Sequence, residues 1–202
     1  ISKKRYSLWI IDSEGMRVDE LLVKGIDIVR SNFPKSFKTL LTEVVTGLLK
    51  GKTKDDIDNI VISFKRNMKQ EPIVDIAMST GIKQIKKFLG PGNKSVKGTP
   101  AHVQSAINYN SMLKDIDADD QYTKVVGGDK IKWVYLKTNP YGINKVAFKN
   151  TDNPDKIMEF VKIYIDIEKL YEKLALNKII TFYDAMKWAP PTDPRDTLAR
   201  FF

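Results

Sequence analysis

The chain opens with Ile1-Ser2-Lys3-Lys4-Arg5-Tyr6-Ser7-Leu8-Trp9-Ile10-Ile11, three cations and a phenol at the mouth of an alternating, β-branched run. Such alternation spells a strand. Successive strand side chains point to opposite faces, so Lys4 shares a face with Tyr6 and Lys3 with Arg5. Long cationic stems beside a flat ring suit phosphate or minor-groove acceptors, with the ring bracing a sugar or base; charge alone favours a solvated strand end. Asp12-Ser13-Glu14-Gly15 then has the acid and glycine chemistry of a tight turn, which returns the chain through Leu21-Leu22-Val23 as an antiparallel partner. A lone hairpin is marginal in water, so this one must lean on the rest of the chain or on another sheet. Asp12 and Glu14 lie two apart and could share a cation, but they are read as turn acids.

Helical periodicity takes over next. Ser31-Asn32-Phe33-Pro34 opens a helix, with Ser or Asn as cap and Pro in the first turn, and Phe37, Leu40, Leu41, Val44, Val45 and Leu48 form its apolar stripe. Gly51 ends it. Thr53 and Asp56 make a capping-box start for a second helix that buries Ile57, Ile60, Val61, Phe64 and Met68. The short Gly-Lys linker makes the two an antiparallel pair, and their stripes are core.

Pro72 breaks that pattern, and Ile73 to Met78 reads as a short buried segment. From Ile76 to Lys114 there is no Asp or Glu, whereas Lys83, Lys86, Lys87, Lys94, Lys97 and Lys114 all fall within it, around a flexible Gly90-Pro91-Gly92-Asn93 loop. An unopposed basic island suits a nucleic-acid backbone, because each neutralised phosphate releases condensed counterions. Glycines let main-chain amides approach phosphates. No Walker-type phosphate loop is present. Thr99 and Pro100 start another helix, Thr99 as cap; its N-terminus can hold a phosphate, and His102 in its first turn can donate to one. Asp115 to Asp120 is an acidic surface bridge. Lys130 to Leu136 alternates as a strand, Asn139-Pro140-Tyr141-Gly142 turns it, and Lys145 to Phe148 pairs back. Trp133 and Tyr135 share a face that could stack bases but is more simply core. After Asn153-Pro154 the text is helical, with Ile167, Leu170, Tyr171 and Leu174 on one face. Pro190-Pro191-Thr192-Asp193-Pro194 is a stiff tether presenting Leu198, Phe201 and Phe202.

Bulk properties narrow the classes. The 202 residues, 42% hydrophobic, can bury a proper core, and a net charge of +9 with a pI near 9.5 calls for a polyanion, nucleic acid before membrane. The absence of Cys excludes a disulfide framework and a thiolate site, and the single His excludes a multi-histidine metal cluster. No apolar run approaches membrane-spanning length and no signal peptide opens the chain, so the expected location is the cytoplasm, a host's if the protein is viral. The amphipathic helices carry mixed charge, which argues against a membrane-surface role. The first residue is not Met, and a chain cut from something longer is expected.

Lys3-Lys4-Arg5-Tyr6, followed by Asp12-Ser13-Glu14-Gly15 and Val23 to Ser31, resembles the Lys-x-Tyr region of family B DNA polymerases. Lys97-Gly98-Thr99-Pro100-Ala101-His102 through Asn108-Tyr109-Asn110, and the ending Leu198-Ala199-Arg200-Phe201-Phe202, are similar to the T-even-like bacteriophage branch. The resemblance implies an α+β chain: an N-terminal β-hairpin at the palm edge (1–30), a mostly helical thumb with a small antiparallel sheet (31–188), and an extended clamp-binding tail (189–202). It implies that Lys3, Lys4 and Tyr6 contact duplex near the primer end. Lys83, Lys86, Lys87, Lys94, Lys97, His102 and Tyr109 would hold the backbone, and Leu198, Phe201 and Phe202 would plug into a sliding clamp. Gln104 stands where a basic residue is expected, and Arg195 where a clamp peptide has Gln. The metal-binding motifs of the family, of the Asp-x-x-Ser-Leu-Tyr-Pro and Asp-Thr-Asp kinds, do not occur. This chain is therefore expected to hold no cofactor and to be inactive alone, magnesium and nucleotidyl transfer belonging to the complete polymerase. Expected partners are primer-template DNA, the clamp and, if the enzyme is naturally split, an N-terminal polymerase polypeptide; no membrane is expected. A stand-alone non-catalytic nucleic-acid-binding or clamp-adaptor protein is the alternative.

Overall fold

The structure, a computed structural model, describes residues 5–193. It is α+β and divides into two compact units, one made of the residues up to Glu71 with those from Tyr171 on, the other of Pro72–Leu170.

In the first unit β1 (Tyr6–Ser13) pairs antiparallel with β2 (Met16–Lys24) from Tyr6↔Lys24 to Ser13↔Met16, with an irregularity between Ile10 and Asp12. Glu14 (φ 54°) and Gly15 (φ 82°) are both left-handed, the two-residue turn whose twist matches that of the strands. The Asp12 carboxylate accepts the Gly15 N–H at 3.0 Å. Helices α1 (Lys35–Leu49) and α2 (Lys54–Asn67) follow. The rings of Phe37 and Phe64 meet tilted at 5.5 Å, near the start of one helix and the end of the other, and a Cβ at Gly47 would lie 2.7 Å from Ile57 at the opposite ends, so the pair is antiparallel as expected. Phe37, Leu40, Leu41, Val44, Ile57 and Val61 are buried between them, each fully buried side chain worth about 1.5–3 kcal/mol. Gly51 (φ 76°) closes α1: its N–H bonds Leu48 C=O at 3.2 Å and the Lys52 N–H bonds Gly47 C=O at 2.9 Å, satisfying two terminal carbonyls. The Thr53–Asp56 capping box forms as the spacing predicts.

The chain re-enters this unit at the end of α6 (Ile167–Tyr171), passes through a π-turn at Glu172–Leu176 and ends in α7 (Asn177–Met186). The fully buried Tyr183 donates its hydroxyl to Asp58 at 2.6 Å, while Lys54 holds the other carboxylate oxygen at 2.5 Å. That contact docks the last helix on α2. Arg66 then grips Asp193 through two bonds, at 2.9 and 2.7 Å. The pair anchors Asp193, the last described residue, because a buried carboxylate there needs a cation.

In the second unit a short α3 (Ile73–Ile76) leads into β3 (Met78–Gly81), and β3, β4 (Lys130–Tyr135) and β5 (Lys145–Phe148) form an antiparallel sheet in that order. Helix α4 (Ala101–Asp115) packs against β4 and β5, and Val103, Ala106, Ile107 and Leu113 of the helix are buried, as are Val134, Val146, Ala147 and Phe148 of the sheet. Helix α5 (Asp155–Tyr164) follows. Trp133 is core, and Tyr135 is half-buried with its ring 5.3 Å from that of Trp133.

Two expected caps are replaced. Pro34 and Pro100 are themselves the cap residues, extended at ψ 142° and 144°, and no side chain caps either helix. Their carbonyls accept the first helical N–H groups, from Lys38 at 3.0 Å and Gln104 at 2.9 Å, so α4 starts one residue later than a Thr99 cap would set it and α1 later than either Ser31 or Asn32 would. Neither Ser31 nor Asn32 caps α1, and the Thr99 hydroxyl donates instead to Val96 C=O at 2.6 Å.

Candidate nucleic-acid interface

The acid-free island is a folded platform rather than the flexible loop expected. Ile82 and Ile85 are buried and act as nails, leaving Lys83, Lys86 and Lys87 exposed around them. The start is tied to the segment before β4: the Ile82 N–H bonds Asp129 C=O at 2.8 Å and the Gly128 N–H bonds Ile82 C=O at 2.9 Å. A single turn at Ile85–Phe88 precedes a small closed loop, in which Leu89 bridges Ser95, the Gly90 N–H bonds Lys94 C=O at 2.8 Å and the Val96 N–H bonds Phe88 C=O at 3.1 Å. Gly92 (φ 66°) and Asn93 (φ 58°) turn its tip, and Lys94 and Lys97 flank it, both exposed. Among the described residues no carboxylate is paired with any of the five lysines; the Lys87 ammonium lies 5.9 Å from the Phe88 ring. Five ammonium groups held on ordered backbone without counter-charges have the electrostatics of a polyanion site.

The island runs directly into the N-terminus of α4. With Pro100 as cap and no acid in the first turn, its terminal amides are left for an external acceptor. His102 is half-buried there, and burial lowers its pKa, so at neutral pH it offers one ring N–H rather than a charge.

Two further positions differ from expectation. Tyr109 is fully buried in the core of α4, its hydroxyl without a hydrogen-bond partner and its pKa pushed up to about 12 by burial, with Asp152 and Tyr122 adding to it. It presents no surface to a ligand, because position 109 falls on the helix face that packs on the sheet. Conversely, Gln104, where a basic residue is expected, has a cation from another element bound to its side chain. Lys145, at the start of β5, donates to Gln104 Oε1 at 2.7 Å, and Asn108 donates to the Lys145 carbonyl at 2.7 Å. Burial, and the charge of Lys169 after it, lower the Lys145 pKa. Lys169 itself lies 5.1 Å from the ring of Tyr135, the residue that pairs with Lys145 across the sheet. Lys145 is 41 residues from Gln104. Nothing in local spacing marks it; the sequence signal is only the gap at Gln104.

In the first unit Lys3 and Lys4 lie outside the described residues, as do Leu198, Phe201 and Phe202. Tyr6 is half-buried and pairs with Lys24. The hairpin is held on the end of α1 by Trp9, which donates to Asp19 at 2.7 Å while Lys50 contacts the same carboxylate at 3.4 Å and sits 4.0 Å over the indole ring. Its apolar surface is far from covered: Leu8 and Leu22, paired across the strands, are 48% and 40% exposed, Ile11 70% and Met16 67%. Among the described residues each strand has only the other as neighbour. Among the described residues no three of His, Cys, Asp and Glu converge to hold a metal, and no helix is long and apolar enough to cross a membrane.

Comparison with known families gives one extended match: the profile of DNA polymerase family B covers residues 1–184. No curated protein matches the chain significantly. With the family profile spanning nearly the whole of the sequence, from the first strand to the last helix, the chain belongs to DNA polymerase family B.

Proposed function

We propose that this chain is the palm-edge and thumb part of a replicative, T-even-like phage-type family B polymerase, and that it grips primer-template duplex. The observation that carries the reading is the ordered island of Lys83, Lys86, Lys87, Lys94 and Lys97, unpaired with any described carboxylate and leading into the uncapped start of α4. Phosphates would be held by the five ammonium groups, by the amides at Ala101 to Val103 and by the His102 ring N–H. Lys145 would supply the contact that Gln104 lacks. Lys3, Lys4 and Tyr6 would act on the duplex near the primer end. Tyr109 drops out of the proposed contact set and serves the core that positions α4.

The proposed boundaries are a palm edge at 1–30, a thumb at 31–188 and a clamp-binding tail at 189–202. The uncovered hairpin, with free strand edges and exposed Leu8, Leu22 and Ile11, supports a sheet contributed by the catalytic part of the polymerase, in the same polypeptide or a separate one. That part would carry the carboxylates for magnesium and the transfer chemistry. Leu198, Phe201 and Phe202 would engage a sliding clamp.

The test is affinity of the chain for a primer-template duplex across a salt series by fluorescence anisotropy. The expected result is a log–log slope equivalent to roughly three to six phosphates. A salt-independent or undetectable interaction at low salt would overturn the reading.

A further inference from the structure

A second feature of the platform is not accounted for by backbone contacts. Between the island loop and the C-terminal half of α4 lies a cleft of ≈ 320 Å³. That is at the lower end of pockets that take small ligands, about 300–1,000 Å³, and fits a single nucleotide but not a base pair. Leu89 forms one wall and is 41% exposed although apolar; the buried Ile107 forms the floor, so the two present a slot for a flat ring. At the rim stand Lys114 and Lys124, two ammonium groups, of which Lys124 is steadied at 2.7 Å by Asp119. Asn93 and Ser111 line the space between, with groups for a sugar or base edge, and Asp115 can accept from an exocyclic amine. The cleft is built rather than accidental: the Asn110 side chain bonds both the N–H (2.7 Å) and the C=O (2.8 Å) of Val125, fixing the loop segment that carries Lys124 against the helix.

We infer that this cleft binds one unpaired nucleotide, its phosphate between Lys114 and Lys124 and its base between Leu89 and Ile107. The choice of ligand rests on the nucleic-acid reading above. The nucleotide can be free or the unpaired end of a strand whose duplex lies on the island, and the two sources share the same chemistry.

The test follows amide resonances of the chain in NMR titrations with deoxyadenosine monophosphate and, separately, inorganic phosphate. Saturable shifts at Asn93, Ser111 and Lys124 with the nucleotide, much smaller with phosphate at equal concentration, are expected. A Ser111→Leu variant, which fills the cleft, should lose these shifts while keeping its melting temperature and its affinity for blunt duplex. A one-nucleotide overhang should strengthen duplex binding about five- to tenfold in the wild type and not in the variant if the strand end is the source; nucleotide shifts without that gain identify a free nucleotide. The absence of saturable shifts, equal shifts with phosphate alone, or shifts that persist in a folded Ser111→Leu protein would each overturn the inference. If the variant does not fold, the wild-type comparison of nucleotide with phosphate decides. Failure to bind blunt duplex while the nucleotide still titrates would reject the duplex-gripping reading and leave the cleft standing.

Discussion

Removing the charges of Lys86 and Lys87 together should weaken duplex binding by an amount that can be worked in advance. Both side chains are exposed, neither is paired with a described carboxylate, and both project from the single turn nailed down by Ile85, so each can neutralise one phosphate without repacking the core. Each such contact contributes a salt slope of about −0.9, hence a free energy of about 0.9 RT ln(1/[salt]), about 1.2 kcal/mol at 0.1 M. The Lys86→Ala/Lys87→Ala protein should therefore bind about 60-fold more weakly at 0.1 M salt, and only about 20-fold more weakly at 0.2 M. The slope itself should flatten by about 1.8. Anisotropy titrations of a labelled duplex at several salt concentrations read both quantities. A Lys156→Ala control on α5, which removes a charge from the same unit beside Asp155, should shift the slope by less than about 0.3. A double variant that loses affinity with an unchanged slope would refute the counterion argument. One that matches the control would refute the island as the contact surface.

Other outcomes follow from the same geometry. Tyr183→Phe removes the 2.6 Å bond to Asp58 with almost no change of volume and should cost about 1.5–3 kcal/mol in urea denaturation; a loss under about 0.5 kcal/mol would mean that α7 docks by packing alone. Tyr109→Phe removes a buried hydroxyl that has no partner, so stability should hold or rise and duplex affinity should stay within about twofold; a large affinity loss would restore Tyr109 to the contact surface. His102 has a folded pKa below its unfolded value near 6.5, so the unfolded chain binds the proton first and stability should fall as pH drops through the mid-6 range. His102→Gln should remove that part of the pH dependence, and NMR titration of the imidazole should find its pKa raised when duplex is bound; an unmoved pKa would remove His102 from the phosphate contacts.

Local text made much of this fold legible. The Glu14-Gly15 turn, the Thr53–Asp56 capping box, the Gly51 stop and the apolar stripes of α1 and α2 depend on interactions within a few residues, and such interactions are specified by neighbours in sequence. The short strand Met78–Gly81 was less visible, because four residues ending in glycine carry little periodicity; it is a strand because β4 is there to pair with it. The two prolines that open α1 and α4 are themselves the caps, beyond the residues that capping preference would choose. Side-chain caps compete with extended backbone before a helix, and here the proline conformation prevailed.

By itself, the sequence determined the electrostatic character of the chain, its α+β composition and its family, since charge counts, periodicities and ordered motifs need no third dimension. Tertiary structure alone decided which side chains remain available. Tyr109 turned inward because its helix face meets a sheet built from residues 130–148. Lys145 came to Gln104 because β5 lies against α4, an adjacency across 41 residues that no local rule encodes. No described carboxylate reaches the lysines of the island, whereas Asp193 is drawn to Arg66 and Asp58 lies between Lys54 and Tyr183. Pairing between distant groups is settled by burial and desolvation when the chain closes on itself, and only there.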